Sequence, residues 1–352
     1  MNQLQARASY DAMQKYFYLP AHSLYCETSP LKEGDKPYSY LWSLREAMAA
    51  TIDMTRMPLF GQAHMPAVAD CFKGLSNYWN ASKHPPGYDS YVIAPLGTGG
   101  DIYYDDNAVV ALELLRWYRM QKDVTFLKLA EQVFPLLEHG WDTDNAHPHP
   151  GGMIWTQSNS SPPTRGANVT GLSAQVALHL YEETKQPSYR DWGKKMYEWN
   201  RTALRSPEGL YWNDMDFKGG INKTFWVYNS GAMIGAATQL YRVTGEYVYL
   251  QNASQDADAA LHYFGSDGRF VSQPAIFDAI FFKNLLLLEG VQHDPRYLQA
   301  MQTYVDQVWN TKRDPKTGLF TFAHPVPLLD QAAMVQISAC LNWTTRDYSL
   351  IA

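Results

Sequence analysis

One short motif recurs along this 352-residue chain and restricts what it can fold into. It reads Tyr118-Arg-Met-Gln-Lys-Asp-Val-Thr-Phe126, Tyr181-Glu-Glu-Thr-Lys-Gln-Pro-Ser-Tyr189 and Tyr241-Arg-Val-Thr-Gly-Glu-Tyr-Val-Tyr249, with a looser copy from Leu288 to Tyr297. In the three closer copies an apolar segment ends on tyrosine, a polar turn follows, and a second segment opens with an aromatic that can pack back. A helical period marks twelve segments, at 3–17, 40–56, 65–81, 105–121, 123–139, 166–184, 187–204, 228–244, 246–264, 275–290, 294–310 and 328–343. No comparable set of alternating strands is visible.

Helix pairs repeated in this way build either an open solenoid or a closed ring. Six pairs is a natural closure number. The predicted fold is therefore all-α, an (α/α)6 barrel of six helical hairpins, with residues 1–352 forming one catalytic domain. Segment 3–17 is placed outside, and segments 40–56, 105–121, 166–184, 228–244, 275–290 and 328–343 line the inside.

A second repeat follows the later helix of each pair, where glycine precedes bulky residues: Gly151 before Trp155, Gly209 before Trp212, Gly268 before Phe270 and Gly318 before Phe320. These connections exceed the usual ~2–8 residues between helices, and they share a rim with the inner-helix N-termini. Function is expected on that rim, because a rigid scaffold presents its chemistry on loops. Residues 82–104, with Tyr88, Tyr91, Tyr103 and Tyr104, read as a loop of the site.

A net charge of -6 without any basic cluster argues against nucleic acid and anionic membranes as partners. No apolar run approaches the ~18 residues of a membrane span, and the first residues lack the apolar stretch of a signal peptide. The chain reads as soluble and cytoplasmic as written, or periplasmic or secreted if an export signal has been removed. Cys26, Cys71 and Cys340 are too scattered for a disulfide framework, a zinc site or a redox pair. His147 and His149 sit in a His-Pro-His-Pro turn and read as turn residues, so no metal is expected there. Aromatics reach 14%, with 11 Trp and 24 Tyr. Such rings fill a large core, and they also stack against the apolar faces of sugars.

Chemistry enters at Asp105-Asp106, where segment 105–121 begins. A helix N-terminus favours an ionised carboxylate, so capping explains one aspartate by itself. Two neighbouring carboxylates also suit glycoside hydrolysis, which uses a pair about 5–5.5 Å apart for retention or about 6.5–9.5 Å for inversion. Adjacent residues fit the shorter distance. The carboxylate tied to the helix end stays ionised, and its neighbour, raised by that charge, keeps a proton. On this argument Asp105 is the nucleophile and Asp106 the acid/base.

Tyr103-Tyr104-Asp105-Asp106 opens one helix, Tyr228-Asn229-Ser230-Gly231 a second, and Phe277-Asp278-Ala279 through Lys283-Asn284 lies on a third. Together they resemble glycoside hydrolase family 76, the α-1,6-mannanases and related α-mannosidases, over residues 40–290. The resemblance implies an (α/α)6 barrel, a retaining mechanism on the aspartate pair, an oligo- or polysaccharide substrate cut in endo or exo mode, and no cofactor. It further implies Asp105 and Asp106 as catalytic, with Tyr104, Trp155, Trp226, Tyr228 and Asn229 around the sugar. Asn229 is equally a candidate helix cap. Trp42, at the start of an inner helix, is a further candidate, and Asp278 adds a carboxylate near the rim or faces solvent. Two alternatives stand beside this reading. A sugar epimerase or isomerase on the same architecture needs central histidines, for which His179 is the main inner-helix resource. A non-catalytic glycan-binding relative would hold its carboxylates beyond about 10 Å.

Overall fold

In the computed structural model, which describes residues 3–158 and 163–351, the repeated motif builds a ring of helical hairpins. The helices are α1 (Gln3–Phe17), α2 (Leu41–Met54), α3 (Met65–Leu75), α4 (Tyr104–Gln121), α5 (Val124–His139), α6 (Ala167–Thr184) and α7 (Pro187–Ala203). They continue with α8 (Val227–Thr244), α9 (Tyr247–Phe264), the single turn α10 (Arg269–Ser272), α11 (Ala275–Glu289), α12 (Pro295–Lys312) and α13 (Leu328–Cys340). Helices α2, α4, α6, α8, α11 and α13 each pack on the next, and α13 returns to α2. Behind them stand α3, α5, α7, α9 and α12, while α1 backs α13. The sixth hairpin thus joins the two ends of the chain. Residues 28–29 pair with 326–327, and the Gln331 amide donates to the Ser9 carbonyl at 2.9 Å, which seals the ring.

The two helix layers differ because their surroundings differ. Inner α8 is buried without a break from Asn229 to Leu240, since it meets neighbours on both sides and an outer helix behind. Outer α12 buries only Tyr297, Met301, Tyr304, Val305 and Val308, a single apolar stripe. Close approach of α8 and α11 depends on Gly231, where a Cβ would lie 2.8 Å from the Phe281 Cα.

Both repeats have a conformational cause. In the first, the residue after the inner helix is left-handed, at Lys122 (φ 59°), Lys185 (φ 61°) and Gly245 (φ 74°). Its N–H returns to the carbonyl of Tyr118, Tyr181 or Tyr241, which closes the helix end. The looser copy has Gly290 at φ -66°, a different turn. In the second repeat, Gly151, Gly209, Gly268 and Gly318 all have positive φ, which residues with a side chain rarely adopt. At three of them the chain doubles back through a short bridge, Trp141 to Met153, Arg205 to Tyr211 and Arg313 to Phe320.

The structure adds strands that the patterning does not show. Segments 164–166, 212–216 and 221–225 form an antiparallel sheet whose residues line one side of the functional rim. These strands carry Asp214, Asp216, Asn222 and Lys223, so hydrophobic alternation is missing. Segment 65–81 ends as helix at Leu75, and residues 79–80 pair with 87–88. The stretch 82–104, read from the sequence as a loop of the site, contributes no residue to the lining of the cleft at the inner-helix N-termini. It braces α4 instead, with the Asn107 amide accepting from the Tyr88 N–H at 2.8 Å and donating to the Tyr88 carbonyl at 3.0 Å.

Charge is buried inside the barrel as a closed circuit. Arg45 bonds Glu46 (2.6 Å) and Glu113 (2.9 Å), and Arg116 bonds Glu113 and Asp53 (2.5 Å each). Lys283 bonds Asp53 (2.8 Å) and the Gln336 oxygen (2.7 Å), and the Gln336 amide returns to Glu46 (2.8 Å). Three bases balance three acids across α2, α4 and α11, with α13 supplying the neutral link. No helix among the described residues is long and apolar enough to cross a membrane.

Candidate active site

A cleft of about 450 Å³ opens where the inner helices begin. The second or third residue of five of them lines it: Trp42 in α2, Asp105 and Asp106 in α4, Asn168 and Val169 in α6, Tyr228 in α8, Phe277 in α11. Thr164, Gly166, Asn213 and Asp214 of the sheet line the cleft as well, and Trp155 joins them from the Gly151 loop.

The two carboxylates sit in different environments. Asp105 accepts from the Trp155 indole (3.1 Å) and the Asn168 amide (2.8 Å) on one oxygen, and from the Asp106 N–H (3.1 Å) on the other. The Trp155 loop is held in place by the Tyr104 N–H, which donates to the Trp155 carbonyl at 3.0 Å. Burial pushes Asp105 up to about 6, against the pull of those donors. Asp106 has no such donors among the described residues. Burial, reinforced by the negative charge of Asp105, drives it well above the usual carboxylate range. The pair therefore loses its first proton at Asp105 and keeps its second at Asp106.

Aromatic rings make the walls. Tyr228 stacks on Phe277 with centroids 3.9 Å apart, and Trp42 lies against the same ring at 6.0 Å. Trp155 is 43% exposed and makes a T-shaped contact with Tyr103, with centroids 5.1 Å apart. Polar groups come from Asn168 and from Asp214, whose carboxylate accepts from Asn213 (2.6 Å) and Asn222 (3.1 Å). No histidine lines this cleft among the described residues. His179, the resource of the epimerase reading, is buried deep in α6 against Gln239 and Glu182, and burial lowers it to about 3. His147 pairs with Asp142 at 2.9 Å and stacks on Phe217.

A family model described as glycosyl hydrolase family 76 matches residues 3–313. The chain belongs to that family. Mannan endo-1,6-alpha-mannosidase DCW1 of Saccharomyces cerevisiae is 25% identical over 154 residues, 41% of this chain and 33% of that protein. The match thus spans about a third of that curated relative's length. The family 76 mannosidase of Bacteroides thetaiotaomicron superposes with a TM-score of 0.84 at 22% identity, over 97% of both chains. An inactive variant of the alpha-1,6-mannanase GH76A of Salegentibacter sp., with two adjacent aspartates replaced by asparagine and alpha-1,6-mannotriose bound, gives 0.76 at 20% identity over 96% and 99%. Cellobiose 2-epimerase from Spirochaeta thermophila gives 0.68 at 16% identity over 97% and 95%, so the barrel by itself does not separate hydrolase from epimerase.

Within this family 76 chain, the predicted residues divide by where their helices point them. Asp105, Asp106, Trp42, Trp155 and Tyr228 meet in the cleft. Tyr104 does not. It is fully buried, with its hydroxyl on His139 Nδ1 at 2.8 Å, because the first residue of α4 faces outward to α5. Trp226 is not among the cleft-lining residues; it makes a T-shaped contact with Phe277, with centroids 5.5 Å apart. Asn229, in the first turn of α8, is fully buried, is not among the residues lining the cleft and does not cap α8; its amide lies 3.5 Å from the Asn213 side-chain oxygen, and Asn213 does line the cleft. Asn168, Asn213, Asp214 and Phe277 are among the cleft residues that sequence reasoning missed as site residues. Asn168 had a signal: it occupies the same second position in α6 as Asp105 in α4 and Tyr228 in α8.

Asp278 neither faces solvent nor joins the rim. It is fully buried on the side of α11 turned to α12, where it faces the Tyr304 hydroxyl without a formed hydrogen bond. Burial raises this carboxyl well above its usual range. The unfolded chain ionises it from about pH 4 upward and the folded chain does not, so its burial costs stability at neutral pH and nothing once both states are protonated. Asp278→Asn is accordingly expected to raise the Tm at pH 7.5, with the gain shrinking toward zero near pH 4. Thermal unfolding at the two pH values measures this, and an equal gain at both would remove ionisation as the cause.

Proposed function

We propose that this chain is a retaining α-glycosidase that hydrolyses α-1,6-linked mannose-containing glycans, with Asp105 as nucleophile and Asp106 as acid/base. The observation that carries the assignment is the asymmetry of the pair, with three donors on Asp105 and, among the described residues, none on Asp106. Family membership and the printed activities of the mannosidase and mannanase relatives support the substrate class. Replacement of two adjacent aspartates in the inactive Salegentibacter variant supports the choice of residues.

The reaction uses the geometry in two steps. Protonated Asp106 gives its proton to the glycosidic oxygen while the carboxylate of Asp105 attacks the anomeric carbon from the opposite face. The C–O bond breaks, the alcohol leaves and a glycosyl ester forms on Asp105. That ester is neutral, so the charge that kept Asp106 protonated is gone and Asp106 serves as base. It takes a proton from water, which attacks the anomeric carbon and releases Asp105. Two inversions give net retention. Trp42, Trp155, Tyr228 and Phe277 offer an aromatic wall to the sugars, and Asn168, Asn213 and Asp214 offer partners for hydroxyls.

Incubation with α-1,6-mannan and α-1,6-mannooligosaccharides, followed by proton NMR of the first product anomer, tests the proposal. The α anomer is expected to appear before mutarotation, and the product lengths separate endo from exo cleavage. First appearance of the β anomer would overturn retention. Turnover of other glycans alone would overturn the substrate class.

A further inference from the structure

We propose that Glu46 is a positioning residue for this reaction: one buried carboxylate fixes the Trp42 indole in the cleft wall and sets a negative charge behind Asp106. The inference rests on the role given to Asp106 above. Trp42 and Glu46 lie one turn apart on α2, with Trp42 in the cleft and Glu46 wholly buried below it. One oxygen of Glu46 accepts from the Trp42 indole (2.9 Å) and Arg45 (2.6 Å), and the other from the Gln336 amide (2.8 Å). Few apolar alternatives could do this. A leucine would fill the volume, but it would leave the indole N–H, the guanidinium and the amide without their acceptor.

The charged groups that act most strongly on Asp106 are Asp105 on its own helix, Glu46 and Arg45 on α2, and Glu27 from the segment before α2. Asp214 stands in the same cleft, while α6 presents Asn168, Val169 and Leu172, and α11 presents Phe277 and Ile280. Arg45 is the cation in this set, and it favours loss of the Asp106 proton. Glu46 offsets Arg45 at 2.6 Å. Without Glu46, the guanidinium keeps Glu113 as a partner (2.9 Å) but acts more strongly on Asp106. The acid would then ionise at lower pH, and leaving-group protonation would fail first on the alkaline side.

The test is the pH profile of kcat/KM on α-1,6-mannooligosaccharides for the wild type, Glu46→Gln and Trp42→Phe. Glu46→Gln is expected to move the alkaline limb to lower pH, with a loss of about tenfold or more on that side and much less near the acid limb. Trp42→Phe keeps a ring but loses the anchored N–H, and is expected to raise KM several-fold without moving the alkaline limb. A folded Glu46→Gln protein with an unmoved alkaline limb overturns the proposal. If Glu46→Gln does not fold, Trp42→Phe decides it, and a wild-type KM there overturns it. Full activity in Asp106→Asn would instead remove the underlying reading of Asp106, an outcome separate from either of these.

Discussion

Asp105→Asn is expected to lower kcat/KM on α-1,6-mannan by about 10⁴-fold, because the proposed mechanism then loses its nucleophile and keeps the rest of the cleft. Asp106→Asn is expected to cost about 10²–10⁴-fold on the same substrate, the usual worth of a positioned acid/base. The two roles separate on a second substrate. An aryl mannoside with an acidic phenol needs no proton to leave, so Asp106→Asn should form its glycosyl ester readily and stall at hydrolysis. Added azide would then enter on the side where the Asp106 carboxylate had stood and release an α-mannosyl azide. In Asp105→Asn the face beneath the sugar is open instead, and azide rescue should give the β-mannosyl azide. Reversal of these two anomers would exchange the roles of Asp105 and Asp106. Near wild-type turnover in both variants would discard the pair as catalytic. Neither substitution should prevent folding, since each removes a carboxylate that burial disfavours.

The second large effect is on stability. Arg116 is fully buried, bonded to Asp53 and Glu113 at 2.5 Å each and to the Ala49 carbonyl at 3.1 Å. Arg116→Met is expected to cost about 3–5 kcal/mol, because it leaves buried carboxylates short of a counter-charge. Asp53 keeps Lys283 and Glu113 keeps Arg45, so the circuit opens without leaving either acid wholly alone. The double variant Arg116→Met with Glu113→Leu removes one base and one acid together. Arg45 then retains Glu46, and Asp53 retains Lys283. Its loss should therefore be smaller than that of Arg116→Met alone, a coupling that urea unfolding of the wild type, the single variants Arg116→Met and Glu113→Leu, and the double variant would measure. A double-variant loss equal to the sum of two large single losses would mean that packing, not charge, dominates there.

Most of the helix boundaries were legible because their causes are local. A helical period, a tyrosine before a left-handed residue at position 122, 185 or 245, and a positive-φ glycine before an aromatic are all set within a few residues. The adjacent aspartates were legible for the same reason, as was the rim that holds them. Trp155 and Tyr228, which the family resemblance implied, do line the cleft. The misses share a different cause. Tyr104 stands beside Asp105 in the chain, yet a helix rotates successive side chains by about 100°, so neighbours face a core and a cleft in turn. Asp278 and Phe277 part company in the same way, one toward α12 and the other into the cleft.

The sequence alone determined the six-hairpin ring, the rim on which chemistry gathers and the pair of carboxylates there, since each depends on the order and spacing of residues close together. Only the tertiary structure decided that Asp105 takes donors from Trp155 and Asn168 while Asp106 lacks them, that the sheet over residues 164–225 brings Asn213 and Asp214 to the cleft, and that Asp53 meets Lys283 inside the barrel. Those contacts join residues tens to hundreds of positions apart. Their partners are chosen by how helices rotate and pack when the ring closes, and no local pattern carries that choice.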